Sequence, residues 1–215
     1  MSKSVFIISA GGHAKVLLEC LIAMGKNISA FIETDATKIG CKILNIDVIS
    51  QDFFLKNYAA ADVLLVNGLG SINVPLLRKK VFLFFKEREY SFLNLIHPTA
   101  YVAKDIVLGE GSQVLAGSIL QIGSAIQDNV IVNTGALIDH DCIIGHHSHI
   151  APGATLSGGV SIDESCHIGC AATVVQGITI EKESLVAAGA VVIADLEKNS
   201  RVAGVPAKKR SSDDN

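Results

Sequence analysis

Aliphatic residues recur at every sixth position over nearly half of the chain. From Ile96 to Val192, each position of this series is isoleucine, leucine or valine. A second series lies two residues earlier in each hexad and consists of small or β-branched side chains, such as Ser112, Cys142 and Ala172. A fixed period in two phases indicates an internal structural repeat.

The period of six fits neither an α-helix, at about 3.6 residues per turn, nor a simple two-sided strand. It is typical of a short parallel strand followed by a corner, with three sides forming one coil of about 18 residues. The aliphatic residues would then stack in interior columns, and glycine, asparagine and aspartate would form the corners. We therefore predict a parallel β-helix over residues 96–193; the repeat alone does not exclude a purely structural solenoid.

The sequence before the repeat alternates between two kinds of segment. Apolar runs typical of parallel strands occupy residues 5–9, 28–32, 62–67 and 92–96. Segments with a helical pattern occupy residues 13–24 and 73–89. Strands alternating with helices predict an α/β, Rossmann-like domain over residues 1–95, which leaves residues 194–215 as a C-terminal segment and tail.

The ends of these strands carry candidate ligand contacts. They are Gly11, Gly12 and His13 after the first strand, Glu33 and Thr34 after the second, and Gly68 after the third. Ligands of open parallel sheets bind beyond such strand ends, and glycines let a phosphate approach the N–H groups of a helix start. Because the glycine motif lacks a full GxGxxG, it is by itself equally consistent with an ordinary strand–helix turn.

Composition and charge exclude several classes of protein. The net charge is −3 and no basic stripe is present, so nucleic acid is not an expected partner. No apolar run approaches the roughly 20 residues of a membrane span, and no signal peptide is evident. The cysteines form no CxxC pair, which is typical of buried thiols in a reducing compartment. We therefore expect a cytoplasmic protein that does not insert into a membrane.

Five motifs carry a closer resemblance to a known family. They occupy residues 9–15 (SAGGHAK), 31–33 (FIE), 95–98 (LIHP), 138–142 (IDHDC) and 204–208 (GVPAK). With the hexads, they resemble the sugar O-acyltransferase and sialic acid O-acetyltransferase family of hexapeptide-repeat acetyltransferases. Within it, they are most similar to the UDP-4-amino-sugar N-acetyltransferases of bacillosamine synthesis. The resemblance implies a left-handed β-helix, acetyl-CoA as co-substrate, no metal, and a homotrimer with active sites between subunits.

The resemblance also implies roles for individual residues. His140 would be the general base, and Asp141 would increase its basicity. Implied substrate contacts are Gly11, Gly12, His13, Glu33, Thr34, Gly68 and Asn133. Implied acetyl-CoA contacts are His149, Gly158, Cys170, Ala188, Arg201 and Lys208. The bacillosamine enzyme has paired aspartates where this chain has Glu33 and Thr34, so uracil recognition is not implied.

Two register relations follow from the 18-residue coil. Gly158 comes one coil after His140, so no side chain should crowd the histidine there. His149 and His167 are also one coil apart and should lie on adjacent coils.

The reaction implied is acetyl transfer to the amine of a nucleotide-linked, UDP-type 4-amino sugar in bacterial glycan biosynthesis. O-acetylation of sialic acid or a related glycan sugar is the alternative within the same class. A zinc-dependent β-helix carbonic anhydrase is a further alternative, in which His140, His149 and His167 would hold the metal. A non-catalytic sugar-nucleotide-binding protein is another. NAD is a weaker interpretation of the N-terminal domain, since nothing in the sequence indicates redox chemistry.

Overall fold

The computed structural model describes residues 3–210, and its N-terminal part is a small α/β domain. The strands are β1 (Ser4–Ile8), β2 (Ile28–Glu33), β3 (Lys42–Ile43), β4 (Ile46–Ser50) and β5 (Val63–Asn67). The helices are α1 (Gly12–Ala23), α2 (Gln51–Asn57) and α3 (Leu76–Lys86), with a 3₁₀ turn at Ala60–Asp62. The sheet order is β3-β4-β2-β1-β5, and every neighbouring pair is parallel except β3 and β4.

Strand β1 is buried on both faces of this sheet, which explains its uninterrupted apolar sequence. Successive side chains of a strand point to opposite faces. Ile7 packs in one cluster with Leu17 of α1, whereas Phe6 packs in another with Phe54 of α2 and Phe85 of α3. The helices therefore cover both faces, as expected for parallel strands.

The predicted helix over residues 73–89 is shorter than expected. It spans Leu76–Lys86 because Pro75 occupies the position before its first turn, and Glu89 adopts a left-handed φ of 62° beyond its end. The other predicted helix and the first three strands are present, with ends displaced by one residue.

The strand predicted over residues 92–96 was wrong as a continuous element. Phe92 forms a single parallel bridge with Leu65, whereas Leu95–Ile96 pairs with Gln113–Val114 as the first strand of the β-helix. The chain therefore leaves one sheet and enters the next within three residues.

The hairpin β3–β4 and the helix α2 were not predicted. The hairpin turns at Leu44 and Asn45, both with positive φ, and asparagine is the only residue there that favours such a turn. Helix α2 has only seven residues, too few for a clear helical period, and it is capped by Ser50, whose Oγ accepts the N–H of Phe53 at 3.1 Å.

The repeat folds as the predicted three-sided parallel β-helix. The first sheet contains Leu95–Ile96, Gln113–Val114, Ile131–Val132, His149–Ile150, His167–Ile168, Leu185–Val186, Arg201–Ala203 and Lys208–Lys209. The second contains Tyr101–Val102, Ile119–Leu120, Leu137–Ile138, Thr155–Leu156, Thr173–Val174 and Val191–Val192. The third contains Val107–Leu108, Ala125–Ile126, Ile143–Ile144, Ser161–Ile162 and Thr179–Ile180.

The parallel stack continues beyond residue 193, the end expected from the hexads. Arg201–Ala203 pairs in parallel with Leu185–Val186. Lys208–Lys209 then pairs antiparallel with Arg201–Ala203. Part of the predicted C-terminal segment therefore completes the first sheet. Residues 211–215 of the predicted tail lie outside the described residues.

The second residue series of the repeat has a structural explanation in side-chain hydrogen bonds between coils. Ser124 Oγ donates to the carbonyl of Asp139 at 2.8 Å and accepts the N–H of Cys142 at 3.0 Å. Ser148, which precedes a strand of the first sheet, makes the equivalent contacts with the Asp163 carbonyl and the N–H of Cys166. Small polar side chains at these corners therefore satisfy backbone groups that the two-residue strands leave unpaired.

A buried polar junction joins the two domains. Arg78 of α3 is 1% exposed, and its Nη1 donates to the carbonyls of Asn67 and Leu69, both at 2.7 Å. Asn67 Nδ2 donates to Asn129 Oδ1 of the β-helix at 3.1 Å, and Gln113 Nε2 donates to the Asn67 carbonyl at 2.8 Å. The end of β5 is therefore fixed directly to the wall of the β-helix.

The interior columns of the β-helix predict that alanine substitution at two isoleucines will lower the free energy of unfolding by very different amounts. Ile144 is fully buried in an interior column, whereas Ile22 on α1 is 51% exposed. Ile144→Ala should lower the free energy of unfolding by about 2–5 kcal/mol, while Ile22→Ala should change it by less than about 1 kcal/mol. Urea unfolding measures both. If Ile144→Ala does not fold, Ile144→Val should still cost about 0.5–1.5 kcal/mol; equal losses at both positions would contradict the packing described.

Candidate active site

A cavity of about 770 Å³ lies between the loops of the α/β domain and the first sheet of the β-helix. Residues from both domains line it. Those also proposed from the sequence are Gly11, Gly12, His13, Gly68, Asn133, His149, Cys170 and Ala188. The structure thus brings together most of the implied substrate contacts and part of the implied acetyl-CoA contacts.

The glycine loop after β1 leaves free backbone donors at one end of this cavity. Helix α1 begins at Gly12, and its N-cap residue Gly11 is extended and has no side chain to cap the N–H groups of the first turn. Such N–H groups form a suitable site for a phosphate.

Gly68 allows the loop after β5 to pass close to β1. A Cβ at this position would collide with the Ile8 carbonyl and would lie 2.8 Å from the Ala14 and Ile7 side chains. Gly68 therefore fixes the shape of the cavity as well as lining it.

Glu33 and Thr34 do not line the cavity. The Glu33 carboxylate accepts the backbone N–H groups of Ala10 at 2.9 Å, Thr34 at 2.8 Å and Asp35 at 3.2 Å. Burial alone would raise the pKa of Glu33, but these hydrogen bonds hold its pKa below the usual value. The carboxylate thus supports the loop between β1 and the glycines.

His13 is held in one orientation by the interdomain junction. The amide nitrogen of Gln113 donates to the Asn67 carbonyl, so its Oε1 faces His13 at 2.8 Å and accepts a hydrogen bond from the Nε2–H of His13. Burial, together with the nearby charge of Arg78, lowers the pKa of His13 to about 4. His13 is therefore neutral at pH 7, with Nδ1 left as an acceptor.

His149 and His167 lie on adjacent coils, as predicted, and are paired in register. Their rings are 4.9 Å apart and nearly perpendicular. Ser71, on the loop after β5, contacts both: its Oγ lies 2.8 Å from His149 Nδ1 and 3.3 Å from His167 Nδ1. Burial lowers the pKa of His149 well below its usual value and that of His167 to about 4. Sequence reasoning gave no signal for Ser71.

His140 and Asp141 form a contact pair outside this cavity. They lie on the corner between the second and third sheets, whereas the cavity lies against the first. His140 Nδ1 is 2.8 Å from Asp141 Oδ2, and this hydrogen bond raises the pKa of His140 above its usual value. Both side chains are half or more exposed to solvent.

Glycines in the neighbouring coils make room for this pair. A Cβ at Gly158 would collide with Nε2 of His140 and lie 2.5 Å from Cε1, and one at Gly123 would collide with Asp141 Oδ1. The expected role of Gly158 in leaving His140 uncrowded agrees with this arrangement.

Arg201 and Lys208 lie on the last strands of the first sheet, outside the cavity lining. Arg201 Nη1 donates to the Glu183 carbonyl at 2.7 Å, and Lys208 is exposed. Over residues 3–210, no group of three or more His, Cys, Asp or Glu side chains is arranged to share a metal ion. In the same part of the chain, no helix has the length and apolar character needed to cross a membrane.

Comparison with known proteins places this arrangement among sugar acetyltransferases. The PglD N-terminal domain family matches residues 4–82. The acetyltransferase domain of PglB from Neisseria gonorrhoeae is 33% identical, with a TM-score of 0.89 over 97% of this chain and 100% of that one. PerB from Caulobacter crescentus, solved with CoA and GDP-perosamine, is 37% identical, with a TM-score of 0.89 over 97% of each chain.

A curated relative matches over a shorter stretch. The carnitine operon protein CaiE of Escherichia coli is 36% identical over 124 residues, which cover 53% of this chain and 62% of that protein. The match thus spans less than two-thirds of the length of that relative.

The fold and the cavity define a hexapeptide-repeat acyltransferase with an added N-terminal α/β domain. More narrowly, the chain belongs to the family of hexapeptide-repeat sugar N-acetyltransferases that includes Caulobacter PerB and the acetyltransferase domain of Neisseria PglB.

The contact between His140 and Asp141 predicts a measurable change in basicity. Asp141→Asn removes the hydrogen-bonded charge that favours imidazolium, so the pKa of His140 should fall. Asp139→Asn removes only a weaker charge effect and should lower this pKa by less. An NMR titration of the His140 ring in both variants measures the difference. Equal shifts would show that Asp141 has no special role.

Proposed function

We propose that this protein is an acetyl-CoA-dependent N-acetyltransferase acting on the amine of a nucleotide-linked 4-amino sugar. The observation that carries the proposal is the cavity itself, which joins a glycine loop at a helix start to a wall of small residues on the β-helix. Its two halves suit two different substrates. The match to PerB, solved with CoA and GDP-perosamine, supports the same pairing.

The nucleotide sugar would occupy the half formed by the α/β domain. The free N–H groups at Gly11 and Gly12 suit the diphosphate, and the neutral His13 offers an acceptor for a sugar hydroxyl. Glu33 and Thr34 would act mainly by fixing the loop before these glycines, since the carboxylate already accepts three backbone N–H groups.

Acetyl-CoA would lie along the β-helix half. Ala151, Gly169, Cys170, Ala187 and Ala188 leave a narrow, uncharged wall along the cavity. Such a wall fits the thin pantetheine arm, and the basic residues Arg201 and Lys208 on the next strands suit the nucleotide end of CoA. Both substrates are cytoplasmic metabolites, so we propose a cytoplasmic enzyme.

His140 would act as the general base. Because Asp141 binds its Nδ1, the Nε2 above Gly158 is left to accept a proton from the sugar amine. The amine nitrogen then forms a bond to the thioester carbonyl carbon, the carbon–sulfur bond breaks, and imidazolium returns the proton to the thiolate. No covalent acyl-enzyme is required.

A second copy of the chain would complete the site. His140 lies on a different corner of the coil from the cavity, so a single subunit does not line the cavity with its base. We propose a homotrimer in which His140 of one subunit faces the cavity of its neighbour. Isoleucine, valine and tyrosine side chains exposed on the second and third sheets, including Tyr101, Val107 and Ile143, provide an apolar contact surface for it.

Thiol release from acetyl-CoA tests the reaction. We expect turnover with one of a panel of UDP-, GDP- and dTDP-linked 4-amino sugars, and His140→Ala should lower it by about a hundredfold or more. His146→Ala is the matched control, because His146 is also a half-exposed corner histidine with a carboxylate neighbour, Asp128, but has no proposed role in the reaction.

The panel also includes free and CMP-linked sialic acids. Turnover with sialic acids alone would replace the proposal by O-acetylation, and turnover with no acceptor would reject the sugar-nucleotide assignment. Near-normal turnover by His140→Ala would reject its role as the base.

Mixed oligomers test the shared site. His140→Ala and His149→Ala should each be nearly inactive, but equal mixing should restore about a quarter of the sites, because each intact site needs one residue from each of two subunits. A mixture of His140→Ala with His140→Asn is the control and should stay inactive. Mixed oligomers of verified composition that show no recovery would place the site within one subunit.

A further inference from the structure

A chain of hydrogen bonds crosses the cavity and links the two domains. It runs from Asn133 through His149 and Ser71 to His167. Each of these residues lines the cavity. The donor and the acceptor of each hydrogen bond can be deduced by starting from Asn133.

Asn133 fixes the direction. Its Oδ1 accepts the backbone N–H of Thr134 at 2.8 Å, so its Nδ2 must donate to His149 Nε2 at 3.0 Å. His149 is therefore the tautomer with its proton on Nδ1, and that proton is donated to Ser71 Oγ.

The hydrogen bond between Ser71 and His167 is assigned next. The Ser71 hydroxyl already accepts from His149, and its own hydrogen has His167 Nδ1 as the remaining partner in contact. His167 Nδ1 is then an acceptor. Because burial keeps the ring neutral at pH 7, its proton lies on Nε2.

His167 Nε2 makes no hydrogen bond within residues 3–210, although the side chain is 7% exposed. This nitrogen is not fully enclosed by the residues that the structure describes, so a ligand in the cavity can reach it. The wall beside it, at Gly169 and Cys170, is uncharged. A neutral N–H donor beside such a wall suits a carbonyl oxygen better than a phosphate.

We propose that His167 is a further ligand-binding residue, whose Nε2–H donates to a carbonyl oxygen in the pantetheine–thioester part of acetyl-CoA. Ser71 is then a positioning residue, which fixes the His167 tautomer from the loop of the α/β domain. The assignment rests on the proposed function, because it takes acetyl-CoA as the occupant.

Two replacements of His167 distinguish the contributions of its two ring nitrogens to ligand binding. His167→Asn keeps a polar atom near Nδ1 but removes the donor at Nε2, so its affinity for acetyl-CoA should fall by roughly 5- to 10-fold, the scale of one neutral hydrogen bond. His167→Gln places an amide nitrogen near Nε2 and should restore most of that affinity. Isothermal titration with acetyl-CoA, CoA and the nucleotide sugar measures each variant, and His146→Asn is the control.

Comparing the affinities for CoA, acetyl-CoA and the nucleotide sugar shows which part of the ligand His167 contacts. Weaker binding of both CoA and acetyl-CoA supports a pantetheine carbonyl, and weaker binding of acetyl-CoA alone supports the thioester carbonyl. Unchanged affinity in His167→Asn, or a loss confined to the nucleotide sugar, would overturn the assignment while leaving the proposed function in place. If the unaltered protein binds none of these ligands, the proposed function fails and the assignment fails with it.

Discussion

The 18-residue register of the coils is the constraint on which the rest of the structure depends. Because each strand pairs with the strand one coil later, the sequence position of a side chain determines its spatial neighbours. The register places His149 against His167 and puts Gly158 beneath His140. Buried aliphatic columns hold it in place, since a shift by one residue would turn each interior side chain outward. The chemistry of the site is thus fixed by the packing of the core.

The polar junction around Arg78 attaches the α/β domain to the side of the β-helix. A buried arginine without a carboxylate partner is costly, and in residues 3–210 no ion pair includes Arg78 and its Nη2 lacks a partner. Its donors instead hold the carbonyls of Asn67 and Leu69, at the loop that carries Ser71. The loop on one side of the cavity and the β-helix on the other are therefore bonded to the same group of side chains.

The fold was largely predictable, because a strict hexad is a non-local pattern that few other structures satisfy. The adjacency of His149 and His167 followed from counting residues along that pattern. Ser71 and Gln113 could not be predicted, because their contacts cross between domains and depend on how a loop without a period folds back. The short helix α2 was missed for a related reason, since its stability comes from Phe54 packing in the core and not from a repeated pattern.

The histidines of the site are divided by their surroundings into two chemical kinds. His149 and His167 are buried and His13 is partly buried; all three are uncharged at neutral pH, and each is held in one tautomer by fixed partners. His140 is exposed and paired with Asp141, which raises its pKa. On acidification, His140 therefore gains a proton before the cavity histidines do. The proposed base would then be protonated while the hydrogen-bond chain across the cavity persists, so the proposed catalytic and ligand-positioning roles would respond to pH separately.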